Sequence, residues 1–134
     1  MIYFKAEANE KIGEGHLNRC LILADECLKW NIKVSFLFFN SSNSSIEKVK
    51  SKGFKCFNFP KAFEQDLNTY LKIISINELI IFDTDNSQFY SGELIDKLRK
   101  NNILTGCFTI TDQYPIKTNL LINPNIISET HQYD

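Results

Sequence analysis

Short apolar runs alternate with amphipathic stretches along most of this chain. Ile2 to Ala6 is apolar and extended in pattern, which predicts a first strand. From His16 to Trp30, Leu17, Leu21, Ala24 and Leu28 recur at helical spacing, widened by Cys20 and Cys27, which predicts a helix. Lys33 to Phe39 is nearly continuous in apolar residues, as expected of a central strand covered on both faces. The polar run Asn40 to Ser45 supplies a turn and an N-cap for a helix over Ile46 to Lys52, with Gly53 as its C-cap.

The second half repeats the alternation. Phe54 to Phe59 reads as a third strand stopped by Pro60. Phe63, Leu67, Tyr70, Leu71 and Ile74 predict a helix over Phe63 to Ser75. Glu78 to Phe82 reads as a fourth strand ending at Asp83. A polar loop over Thr84 to Gln88 then leads to a helix from Ser91 to Asn101, with Leu94, Ile95 and Leu98 inward. Leu104 to Ile110 and Leu120 to Ile122 complete the strands, and Asn125 to Asp134 reads as irregular. Such alternation with short connections predicts an α/β domain, a Rossmann-like parallel sheet with helices on both sides, in three layers. Ligands of such sheets bind beyond the carboxyl ends of the strands.

Length and composition narrow the picture. The 134 residues suit one domain, 1–134, and too few remain for a second ordinary one. Eleven Phe, with few Gly and Pro, argue against disorder. A net charge of −1 lacks the footprint of a nucleic-acid binder. The local run Lys48, Lys50, Lys52 and Lys55 reads as the wet face of a short helix. No run reaches the roughly 18 apolar residues of a membrane span, and no signal peptide pattern opens the chain. Cys20, Cys27, Cys56 and Cys107 form no CxxC pair and read as reduced, buried thiols of a cytoplasmic protein. With two histidines, His16 and His131, no metal-ligand spacing is present, and no metal or cofactor is expected.

The candidate chemistry gathers at three strand ends: the Gly13-Glu14-Gly15-His16 loop, Asp83-Thr84-Asp85-Asn86, and Thr111-Asp112-Gln113. Gly13 and Gly15 allow a tight turn and close approach to a ligand. The spacing fits neither a dinucleotide fingerprint nor a P-loop. His16 falls in the first helical turn, where the helix dipole disfavours its charged form. A neutral imidazole there can take a proton from water or a substrate hydroxyl. Arg19, three residues on, shares that side and either clamps a phosphate or pairs with a carboxylate. Asp83 and Asp85 either bind sugar hydroxyls, orient His16, or cap the next helix; Asp112 is a weaker candidate of the same kind. The reading requires an imidazole open at the mouth of a cleft.

On these residues the chain resembles a known family. Phe4-Lys5-Ala6-Glu7-Ala8-Asn9, then Ile12-Gly13-x-Gly15-His16-x-x-Arg19-Cys20-Leu21-x-Leu23-Ala24, Leu79 to Asp83, Asp112, and Asn119 to Asn125 are similar to the N-terminal half of the UDP-sugar hydrolases of pseudaminic acid biosynthesis. That family includes glycosyltransferase-like proteins of spore coat polysaccharide synthesis. The resemblance implies a GT-B-like enzyme of two Rossmann-like halves, acting on a UDP-linked 2,4-diacetamido-trideoxy sugar. His16 would be the base, with Gly13, Gly15, Arg19, Asp83, Asp85 and Asn125 contacting substrate. The nucleotide-gripping C-terminal half is absent from this sequence, so a further domain or second subunit is an expected partner, and the 134 residues alone are expected to be inactive. Alternatively the chain is a non-catalytic or split glycosyltransferase half. Lys5 and Glu7 stand where the family has Arg and Asp or Ser, and Asp85 where it has Tyr.

Overall fold

A computed structural model describes residues 1–8, 15–83, 93–108 and 118–123. Its strands are β1 (Ile2–Ala6), β2 (Val34–Phe39), β3 (Lys55–Phe59), β4 (Leu79–Asp83), β5 (Leu104–Phe108) and β6 (Leu120–Ile122). Its helices are α1 (Gly15–Lys29), α2 (Asn43–Ser51), α3 (Leu67–Leu71) and α4 (Glu93–Lys100), with a 3₁₀ turn at Lys61–Phe63. The strands form one parallel sheet in the order β3-β2-β1-β4-β5-β6. This is the Rossmann-like order, and the chain reverses direction across the sheet between β1 and β4.

The two-residue period of the strands divides the core into two layers. On one face Phe4, Ala6, Phe36, Phe38 and Ile81 meet Leu17, Cys20, Leu21 and Ala24 of α1 and Ile46 and Val49 of α2. On the other, Tyr3, Leu37, Phe39, Ile80 and Phe82 meet Tyr70 of α3 and Leu94, Ile95 and Leu98 of α4. Aromatic rings join neighbouring strands on both faces: Phe4 stacks on Phe36, and Phe39 lies against Phe59 and Tyr70. All of β2 is buried, as its unbroken apolar run requires.

Local signals explain the element ends. Ser42 caps α2 by accepting from the Ser45 amide at 3.3 Å. Gly53, one residue past that helix's C-cap, has φ of 90°, a conformation costly for any residue with a Cβ. α1 and α4 both close in Schellman turns. The amides of Asn31 and Ile32 bond the carbonyls of Leu28 and Cys27, and those of Asn102 and Ile103 bond Arg99 and Leu98. Both asparagines adopt positive φ.

Three sequence expectations change. The helix over Phe63 to Ser75 is instead a 3₁₀ turn and the five-residue α3. Tyr70 and Ile74 are buried as the spacing requires, but Glu64 is drawn inward and Phe63 is left exposed, which breaks the stripe before a continuous helix can form. In the last turn of α1 Cys27 is buried and Leu28 is exposed, because the chain is already reversing there. Cys56 is only partly buried, unlike the other three thiols; all four are free. The lysine run lies mainly on the wet side, where Lys50 pairs with Glu47 and Lys52 with Asp25. Residues 84–88, 109–110 and the tail from Asn125 lie outside the described residues.

Candidate ligand site at the reversal of the sheet

Asp83 is the last residue of β4, paired in register with Ala6 of β1. It therefore stands where the strand order reverses, on the face covered by α1. Its carboxylate is fully buried, and a buried charge persists only when paired and hydrogen-bonded. Three side chains from the first turns of α1 do this. His16 Nδ1 lies 2.6 Å from Oδ1. Arg19 donates from Nε to Oδ2 at 2.5 Å and from Nη2 to Oδ1. The Cys20 thiol donates to Oδ2 at 3.6 Å. Their spacing of three and four residues puts them on one side of the helix.

An ionised carboxylate only accepts, so Nδ1 of His16 carries the proton in this contact. Arg19 Nη2 also lies 2.7 Å from His16 Nδ1. Both nitrogens donate to the same oxygen, so this is two donors sharing an acceptor. The guanidinium rests over the Phe108 ring, 5.3 Å from its centre. Burial pushes the Asp83 carboxyl up, but hydrogen bonds and charge from Arg19 and His16 outweigh it and hold it below its ordinary value. Burial, with the Asp83 charge, raises the Cys20 thiol well above its ordinary value. Cys20 thus remains a protonated donor and not a nucleophile.

His16, Arg19 and Asp83 thus come together. Of the two uses foreseen for Arg19, the carboxylate pair is the one formed. Gly15 opens α1 with φ outside the left-handed region, and among the described residues a Cβ there would meet nothing within 4 Å. Among the described residues neither its φ nor a close neighbour requires glycine there; the turn that precedes it lies outside them. Gly13, Asp85, Asp112 and Asn125 lie outside the described residues. One expectation is corrected: the imidazole is not open, since only 9% of the His16 side chain is accessible. Asp83 sits inside the sheet edge and draws the ring inward.

Sequence reasoning missed two participants. Cys20 was read as part of the helix's apolar stripe and as a buried thiol, not as a donor to Asp83. Lys5 was noted only as a departure from the family pattern, yet it is fully buried on the opposite face of the sheet, beside Glu7 and Glu64. A lysine inside the otherwise apolar run Ile2 to Ala6 was the available signal. Among the described residues no group of three or more His, Cys, Asp or Glu could hold a metal ion, and no helix is long and apolar enough to cross a membrane.

Fold and site define an α/β domain with a Rossmann-like sheet and a His–Asp–Arg cluster at the reversal point. Comparison of the chain with protein-family models, curated proteins and solved structures found no match to any of them.

Proposed function

We propose that this domain is the sugar-side, GT-B-like half of a nucleotide-sugar hydrolase. It would act on a UDP-linked 2,4-diacetamido-trideoxy sugar used in surface polysaccharide or flagellar sugar synthesis. The observation that carries the reading is the 2.6 Å contact from His16 Nδ1 to Asp83 Oδ1. It supports the reading because a neutral ring that donates from Nδ1 to Asp83 would present Nε2 as the proton acceptor a general base requires. In the proposed step the oxygen of water bonds to the anomeric carbon as its proton passes to Nε2. The bond from that carbon to the UDP oxygen breaks, and UDP leaves with the electron pair. Asp83 holds the ring and balances its charge while it carries the proton. Arg19, engaged by Asp83, secures the carboxylate. Resemblance across the GxGHxxRC segment supports the choice of substrate. The reading rests on the His16–Asp83 contact and the resemblance, not on an open imidazole, since 9% of the side chain is accessible.

The chain has two histidines, so imidazole proton resonances assign His16 with a single His131→Gln control. Titration with the UDP-linked diacetamido sugar is expected to shift the His16 ring signals saturably and leave His131 unmoved. Unchanged His16 signals at millimolar sugar would remove the reading.

A second reading is a non-catalytic or split glycosyltransferase half that docks a partner chain, with exposed apolar side chains at and beyond α1 as candidate contacts. Ile22 is 72% exposed and Trp30 76%. Recovery of a stoichiometric second subunit on affinity purification, lost with Ile22→Lys and Trp30→Lys, is the outcome that reading expects.

A further inference from the structure

A second buried charge cluster lies one strand from Asp83, on the other face of the sheet. Lys5 of β1 is fully buried. Its Nζ is 3.3 Å from Glu7 Oε1 and 3.4 Å from Glu64 Oε2, and 5.9 Å from the centre of the Phe39 ring on β2. Glu64 is buried too, and Lys61 reaches it at 2.6 Å. Tyr70 of α3 donates its hydroxyl to the Glu64 carbonyl at 2.7 Å.

Topology makes this cluster consequential. Glu64 belongs to the connection leaving β3, and β2 separates β3 from β1. To meet Lys5 the connection must return over the end of β2. It is held there by 3₁₀-type bonds from the amides of Phe63, Glu64 and Asp66 to the carbonyls of Pro60, Lys61 and Phe63. Lys5 is paired in register with Phe82, and the next pair is Ala6 with Asp83. The connection is thus fastened beside the reversal point, across the sheet from His16.

We infer that Lys5 is a positioning residue for this site. Its ammonium, shared by Glu7 and Glu64, fixes residues 60–66 at the carboxyl edge of the sheet, where ligands of such sheets bind, on the face opposite α1. This inference rests on the proposed function for the ligand, but not for the fastening. A point charge with several rotatable donors suits two carboxylates from different segments. A packing role alone would be met as well by methionine.

The test uses the full chain. Amide exchange is followed in Lys5→Met, Lys5→Arg, Glu64→Gln and the Lys5→Met/Glu64→Gln double variant. Lys5→Met is expected to exchange the amides of Phe63, Glu64 and Asp66 at least tenfold faster, with β2 amides unchanged, and to weaken binding of the UDP-linked sugar at least tenfold. Lys5→Arg keeps the charge but not the compact ammonium and is expected to restore both in part. Should Lys5→Met not fold, the double variant leaves one buried carboxylate fewer uncompensated and carries the same expectation. Undiminished protection at Phe63 to Asp66 in the double variant overturns the inference, as does lost protection with unchanged affinity. Failure of the parent chain to bind sugar strikes the proposed function, while the exchange measurement by itself decides the fastening.

Discussion

Asp83 concentrates the chemistry of this molecule in one carboxylate. Replacing it by Asn keeps the size but removes the charge that Arg19 and His16 meet at Asp83, and removing one partner of a buried pair costs about 3 kcal/mol or more. Urea denaturation of Asp83→Asn at neutral pH is expected to show that loss. The pH sign follows from the lowered carboxyl. Its stabilising contribution is fully present above the ordinary value of 3.8 and fades as pH falls through the lower folded value. The gap between parent and variant should therefore narrow below about pH 4. Tyr3 behaves in the opposite sense. Burial, with Glu78, pushes its phenol up to about 12, so its contribution holds below the unfolded value of about 10 and disappears as pH rises through 12. Phenolate absorbance of the parent and Tyr3→Phe in alkaline titration reads this directly. Gly15→Ala tests what that glycine is for. With no described residue within reach of a Cβ there, the variant should keep or slightly raise its melting temperature, while sugar binding falls if a ligand approaches there. His16, Arg19 and Asp83 were legible because turn chemistry and strand ends mark such positions. That Arg19 would turn to Asp83 was not, since the two are 64 positions apart and only the sheet order joins them.

The elements themselves were mostly visible in the sequence, because strands covered on both faces and helices with one apolar stripe leave different periods. What escaped was punctuation by asparagine. This chain has five glycines, and it closes both α1 and α4 with Asn in the left-handed region. The side-chain amide tolerates that conformation better than most residues do. Asn102→Ala is expected to lower stability by about 1 kcal/mol, and Asn102→Gly to leave it nearly unchanged; paired denaturation curves measure the difference. The element misread most, the helix over Phe63 to Ser75, fails for a tertiary reason. Burying Glu64 against Lys5 overrides a periodicity that is otherwise sound from Leu67 onward. Gly106 of β5 has a packing reason. A Cβ there would meet Leu120 Cβ at 3.2 Å and Ile81 Cγ1 at 3.4 Å, so Gly106→Ala is expected to loosen β6, seen as faster exchange of the amide that pairs it to β5.

At the level of the whole molecule, parallel pairing throughout puts every strand's carboxyl end on one edge. That is why loops far apart in sequence were expected to converge, and why Asp83 and the start of α1 meet. The proposed function carries an expectation at this scale: the 134-residue chain alone should release little or no UDP from the UDP-linked sugar, since the resemblance assigns the nucleotide grip to another half. A coupled assay for free UDP checks it, and robust turnover by the chain alone would show that assignment wrong. One consequence concerns the order in which the ribosome makes the sheet. β1 emerges first yet lies in the middle, with β2 on one side and β4 on the other. Until the segment ending at Asp83 has been synthesised, the nascent chain carries an apolar strand with one open flank, a template for pairing with neighbouring chains. Products cut short before Leu79 should therefore aggregate, whereas those extending past β4 have closed that flank.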